Sequence, residues 1–154
     1  MVTISLENFH TTRSLDFTIQ GMMSRQRRKA QSMEPGDRIV YYITGTQRFG
    51  ATATVTSKCT EDHKQIWKSE GKADDFPWRV EIKADTALED EQFLDAREIG
   101  PRMEYVRKWP PEDWPLAFQG HLHILPKSDF ELLEQEMKKA TSKKSASEKA
   151  AVTL

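Results

Sequence analysis

The stretch from Met33 to Ser57, M-E-P-G-D-R-I-V-Y-Y-I-T-G-T-Q-R-F-G-A-T-A-T-V-T-S, constrains the fold more than any other part of the chain. Pro35-Gly36 marks a turn, because proline presets φ for the first turn position and glycine admits the positive φ that follows. Beyond it, Ile39, Tyr41 and Ile43 alternate with Val40, Tyr42 and Thr44, and Ala51, Ala53 and Val55 alternate with Thr52, Thr54 and Thr56. Period-two alternation of β-branched and aromatic residues is the pattern of strands. Gly45 to Gly50 is short enough to join the two as a hairpin. Phe76 to Lys83, F-P-W-R-V-E-I-K, reads as a further strand of the same small closed β-structure.

The flanks are less regular. Val2 to Leu6 reads as a short first strand, and Asn8 to Ile19 as a short helix ended by Gly21. Ser24 to Ser32 is too polar for a core helix and is expected as an exposed helical turn or loop. Residues 58–75 are polar apart from Ile66 and Trp67, which predicts a surface excursion between strands. Leu88 to Leu94 is a helix or strand edge, and Tyr105-Val106 another short strand. Prolines 110, 111 and 115 hold Lys108 to Pro115 open as a loop. His121 to Leu125 alternates as one more strand. Ser128-x-x-Glu131 is a capping box, and Phe130, Leu133 and Met137 follow it as the apolar stripe of a closing helix. Residues 140–154, rich in Ala, Ser and Lys without aromatics, read as a disordered tail after a domain spanning 1–139.

A chain of 154 residues buries a single core without metal or disulfide staples. Its single cysteine, Cys59, excludes an internal disulfide framework and a Cys-based zinc site. The N-terminus lacks the basic and apolar regions of a signal peptide, and no window approaches the ~20 apolar residues of a membrane span, so a cytoplasmic protein with no membrane partner is expected. The net charge of −1 hides an uneven spread: residues 1–60 carry four more cations than acids, residues 61–139 seven more acids than cations. A uniformly basic surface would point to non-specific nucleic-acid coating; here any nucleic-acid contact must be local.

Gly21, the M-E-P-G-D before a Y-Y strand, G-A-T-A-T-V, F-P-W-R-V-E-I, Trp114 with Phe118 and Gly120, and S-D-F-E-L-L-E-Q-E-M occur in an order and spacing that resembles the EVE family. That family is a branch of the PUA-like barrels, which also includes the YTH readers of methylated RNA bases. The resemblance implies an α+β fold, a mixed β-barrel of five or six strands with flanking helices. It implies a non-catalytic module whose aromatic-lined pocket recognises a modified base in DNA or RNA, or a modified nucleoside, without cofactor or metal. Ser5, Gly21, Trp78, Trp114, Phe118 and Gln119 match its pocket-lining segments, with Ser5 and Gln119 offering hydrogen bonds and the aromatics a stacking surface. The resemblance also favours phosphate contact by Arg25, Arg27, Arg28 and Lys29, since arginine forks pair with phosphate oxygens; a solvated basic turn is the plainer alternative. One departure stands out: the aromatic pair, typically Tyr-Trp, that precedes the polar position of the first strand in similar proteins is absent. Either the first strand is truncated here or the pocket wall is supplied differently, for instance by Phe9 or Trp114.

Other chemistry is weaker. His121 and His123 have metal-ligand spacing on one strand, but no third ligand cluster accompanies them. Cys59 reads as a small core residue rather than a nucleophile, and Glu89-Asp90-Glu91 as a solvated face. Two further functions stay open: a small hydrolase on a PUA-like barrel acting on a modified nucleoside, and an adaptor using its acidic half. A monomer is the expected state.

Overall fold

The computed structural model describes residues 1–69 and 71–152. Its seven strands form one sheet: β1 (Val2–Ile4), β2 (Ile19–Met22), β3 (Arg38–Ile43), β4 (Arg48–Val55), β5 (Thr60–Glu61), β6 (Trp78–Ala87) and β7 (Leu94–Asp95). The main path runs β1-β3-β4-β6-β2, with β5 on β6 and β7 on β4. β1 is parallel to β3, and every other pairing is antiparallel. Bulges between Tyr41 and Tyr42 and between Thr52 and Ala53 add the bend that curls this mixed sheet into a half-barrel. The helices are α1 (Leu6–Ser14), α2 (Arg27–Gln31), α3 (Ala96–Ile99), α4 (Glu104–Arg107) and α5 (Lys127–Val152). Among the described residues, no helix is long and apolar enough to cross a membrane.

Strand β3 sits inside the curl and is covered on both faces, so both tyrosines are buried. Tyr41 meets Phe9 of α1 edge-on at 5.7 Å, and its hydroxyl donates to Gln20 Oε1 at 3.0 Å. Tyr42 stacks flat on Phe118 at 4.2 Å, with Phe49 edge-on to both. Each such ring contributes about 1.5–3 kcal/mol through burial.

Several local expectations are corrected. Gly21 does not end a helix but lies within β2, where a Cβ would come within 2.5 Å of Trp67 Cζ3 and 2.6 Å of the Phe76 carbonyl. Tyr105-Val106 is helical: Asp129, 2% exposed, accepts from the backbone N–H groups of Glu104 and Tyr105 at 2.9 Å each and so caps α4. His121 to Leu125 is not a full strand. Leu122 bridges Val2 antiparallel, but Ile124 is 82% exposed and the alternation stops. Prolines at the start of a turn suit a helix N-terminus, and Pro111–Phe118 winds as 3₁₀ helix rather than open loop. α5 begins at Lys127, so Ser128 is its second residue and not its cap, and the helix continues to Val152.

The excursion between β5 and β6 is anchored, not merely superficial. Trp67 is 1% exposed and its Nε1 donates to Thr12 Oγ1 at 2.9 Å. Arg79, buried over the Trp67 ring, donates to the carbonyls of Phe76, Asp75 and Lys64. The acidic run is partly engaged as well. Burial opposes the charge of Asp90, but hydrogen bonds from Arg13 at 2.7 Å and His10 at 2.8 Å outweigh it and hold its carboxyl below the usual range.

Candidate functional site

A cavity of about 240 Å³ opens where β1 turns into α1. Thr3, Ile4 and Ser5 form one wall, Met23 and Arg25 a second, and Phe76, Gly120 and His121 a third. Ser5 leaves β1 in extended conformation and caps α1, its Oγ accepting from the Asn8 N–H at 3.1 Å. Asn8 in turn holds Lys68 from both sides: its Nδ2 donates to the Lys68 carbonyl at 2.7 Å and its Oδ1 accepts from the Lys68 N–H at 2.8 Å. This reciprocal pair fixes the anchored excursion against the cavity rim.

Phe76 carries a backbone φ of +52°. That region is rare for a bulky residue and costs about 1–3 kcal/mol. Its neighbours enforce it: the Phe76 N–H donates to Asp74 Oδ1 at 2.8 Å, and its carbonyl accepts from Arg79 Nε at 3.1 Å. The result places the ring between Trp67, at 6.1 Å, and His121, edge-on at 5.8 Å. Strain of this kind collects at ligand sites.

His121 is brought to the cavity by β1. Gly120 turns the chain at φ +90°, the Thr3 hydroxyl donates to the Gly120 carbonyl, and the Thr3 N–H donates to the His121 carbonyl at 2.9 Å. His121 Nδ1 lies 3.0 Å from the Thr3 carbonyl, which can only accept, so Nδ1 carries the proton and Nε2 presents a lone pair. Burial lowers the imidazole pKa to about 4, keeping the ring neutral. Nε2 is buried without a hydrogen-bond partner among the described residues. At the mouth, Arg25 is exposed and has no carboxylate partner among the described residues, while Lys68 faces Glu7 only at 3.8 Å.

Of the six residues expected to share one pocket, only Ser5 lines this cavity. Gly21 is one layer behind it, admitting Trp67 and the Phe76 backbone. Trp78 lies under Arg27, whose guanidinium is 5.3 Å from the ring, and donates to the Ser24 carbonyl at 2.9 Å. Trp114 stands edge-on to Phe118 at 6.0 Å, Phe118 is stacked in the core, and Gln119 is exposed one residue before the glycine that lines the site. Nor does Phe9 supply the wall, being wholly buried against Tyr41. The four cations divide: Arg25 lines the cavity, Arg27 covers Trp78, Lys29 donates to the Leu122 carbonyl at 3.0 Å, and Arg28 is exposed. Phe76, Asn8, Lys68 and His121 were not foreseen as pocket residues. The signals for two of them lay in the F-P-W and H-x-H motifs.

The histidine pair is split between partners, since His123 Nδ1 meets the Tyr105 hydroxyl at 2.7 Å. Among the described residues no group of three His, Cys, Asp or Glu is placed to hold a metal ion. Burial pushes the Cys59 thiol up, away from a reactive thiolate. A larger depression of about 410 Å³ lies across β1, along Val40, Leu122, Ile124 and Phe130. It has neither a strained residue nor an unpartnered buried polar atom, and the smaller cavity is the stronger site on both grounds.

The model of the EVE domain matches residues 5–109, more than half of the chain. The chain belongs to the EVE domain family. Curated proteins give no match. Among solved structures, this EVE domain is similar to the YTH domain-containing protein Mmi1 in an RNA complex, with a TM-score of 0.63 at 10% identity over 94% of this chain and 85% of that one. It is similar to the Pho92 YTH domain in complex with m6A, with a TM-score of 0.61 at 14% identity over 89% and 80%. It is also similar to the YTH domain of the Zygosaccharomyces rouxii MRB1 protein in complex with N6-methyladenosine RNA, with a TM-score of 0.62 at 12% identity over 89% and 85%. These likenesses establish the fold of the EVE domain; its ligand has to be argued from its own cavity.

Proposed function

We propose that this EVE domain is a non-catalytic module that binds one modified nucleobase of RNA or DNA in the cavity between β1, Phe76 and His121. Arg25 and Arg28 would contact the adjoining phosphates, with Arg27 and Lys29 behind them. The observation that carries the reading is Phe76, held at a strained φ so that its ring borders a cavity. A flat ring beside a base-sized space suits an extruded, unstacked base. At about 240 Å³ the space falls below the ~300–1,000 Å³ of drug-sized sites, which suits a single base. The RNA-bound and N6-methyladenosine-bound YTH domains of like fold support the same reading. The chemistry favours binding over turnover: His121 Nδ1 is tied to a backbone carbonyl rather than to a carboxylate, and no activated nucleophile faces it among the described residues.

Calorimetric titration with a panel of modified and unmodified nucleosides, and with short oligonucleotides carrying them, tests the proposal. Stacking on an aromatic is worth about 1–3 kcal/mol, so Phe76→Ala should weaken the preferred ligand roughly tenfold at about 1.4 kcal/mol per decade, in protein shown to be folded. Equal and negligible binding of every nucleoside by the folded wild type would overturn it.

A further inference from the structure

We propose that His121 reads a hydrogen-bond donor on the bound base: its Nε2 accepts an N–H from the base edge while the Ser5 hydroxyl donates to an acceptor on the same base. This rests on the base-pocket reading above and adds to it the chemical class of edge that the pocket selects. His121 lies outside the residues that match the family, 5–109, so its role here comes from geometry alone.

Three observations converge. The Nδ1 contact with the Thr3 carbonyl leaves Nε2 as an acceptor and cannot be reversed without placing two lone pairs against each other. A buried acceptor without a partner is costly and uncommon in folded proteins, and this one belongs to a side chain on the cavity wall. Ser5 Oγ uses a lone pair to cap α1, and its O–H has no acceptor among the described residues, so the same cavity also holds an uncommitted donor. An acceptor and a donor on one small cavity complement an amidine or lactam edge, where an N–H stands next to a lone pair. An apolar ring of the same size satisfies neither.

The test removes the donor from the ligand, by deletion of an amine in two pairs and by N-methylation in the third. Titrations of the wild-type protein compare adenosine with purine riboside and cytidine with pyrimidin-2-one riboside, each analogue lacking only the exocyclic amine; uridine is set against 3-methyluridine. The nucleoside that binds best should exceed its donor-free analogue about tenfold or more. His121→Leu should bring it down to the level of that analogue, and His121→Gln, which keeps an acceptor, should recover part of the difference. If the wild type binds both members of every pair equally, or if folded His121→Leu keeps the preference, the assignment of His121 fails while the base pocket stands. If no nucleoside binds at all, both readings fall together. Should His121→Leu not fold, the wild-type pairs decide alone.

Discussion

Two of the molecule's aromatic regions, those around Phe118 and Phe76, are used in opposite ways. Around Phe118, four rings meet face and edge: Tyr42 stacked at 4.2 Å, Phe49 at 5.8 Å and Trp114 at 6.0 Å. Around Phe76 there are also rings, Trp67 and His121, but the third side is a cavity bordered by polar residues whose bonds run to the backbone. Apolar surfaces close upon themselves, because dispersion and burial both favour contact. A space survives only where hydrogen bonds and backbone strain hold its walls apart. An aromatic residue therefore becomes a platform through the polar scaffold behind it, here Asp74 and Arg79, rather than through being aromatic.

The sharpest way to break this contrast is Phe118→Ala. Truncating a stacked core ring should lower unfolding free energy by about 3–5 kcal/mol, read by denaturant titration, with the nucleoside affinity of the folded protein unchanged. Loss of base binding at normal stability would show that the Phe118 cluster, not the Phe76 cavity, is the site.

Next in size is the pH response of two histidines, one on the cavity wall and one exposed. His121, lowered to about 4 by burial, stays neutral in the fold while the unfolded chain takes up a proton below about 6.5. Stability should therefore fall by roughly 3 kcal/mol between pH 6.5 and pH 4. The same unfolding series on His121→Gln should show a shallower fall; a parallel curve would remove the histidine as the cause. His63 runs the other way. Hydrogen bonds to Asp75 and Glu61 raise its pKa, so its contribution is present below pH 6.5 and fades as pH rises through its higher folded value. It is exposed, and its effect should be small.

The finest test concerns the rim. Arg25→Ala should leave stability within error and lower the salt slope of oligonucleotide binding by about one, the signature of one phosphate contact. An unchanged slope would confine nucleic-acid recognition to the cavity and return the basic turn to solvent.

Much of the sheet was legible because its information is periodic: β3, β4 and β6 show alternation, and Pro35-Gly36 supplies turn chemistry. What was not legible depends on partners far along the chain. The cap of α4 comes from Asp129, and the burial of Trp67 depends on Thr12 and Arg79, so Tyr105-Val106 read as a strand and 58–75 as mere surface. The candidate site was half visible for the same reason. Ser5 stands at a polar position of the first strand that the sequence shows, and the F-P-W motif points to Trp78; a left-handed backbone at Phe76 leaves no mark in composition. The H-x-H spacing suggests a metal ligand at His121, whereas its meaning lies in which nitrogen the Thr3 carbonyl occupies.

Besides Met23, Arg25 and Phe76, the cavity walls come from residues 3–8 at one end of the chain and from Gly120 and His121 far along it, joined across β1 by the Thr3 backbone bonds. Contacts so distant in sequence carry a large closure entropy. A chain cut after the family-matched segment would lose Gly120 and His121 from the cavity and Phe118, Leu133 and Met137 from the core together, so the binding surface and the cover of the sheet rest on the same C-terminal residues.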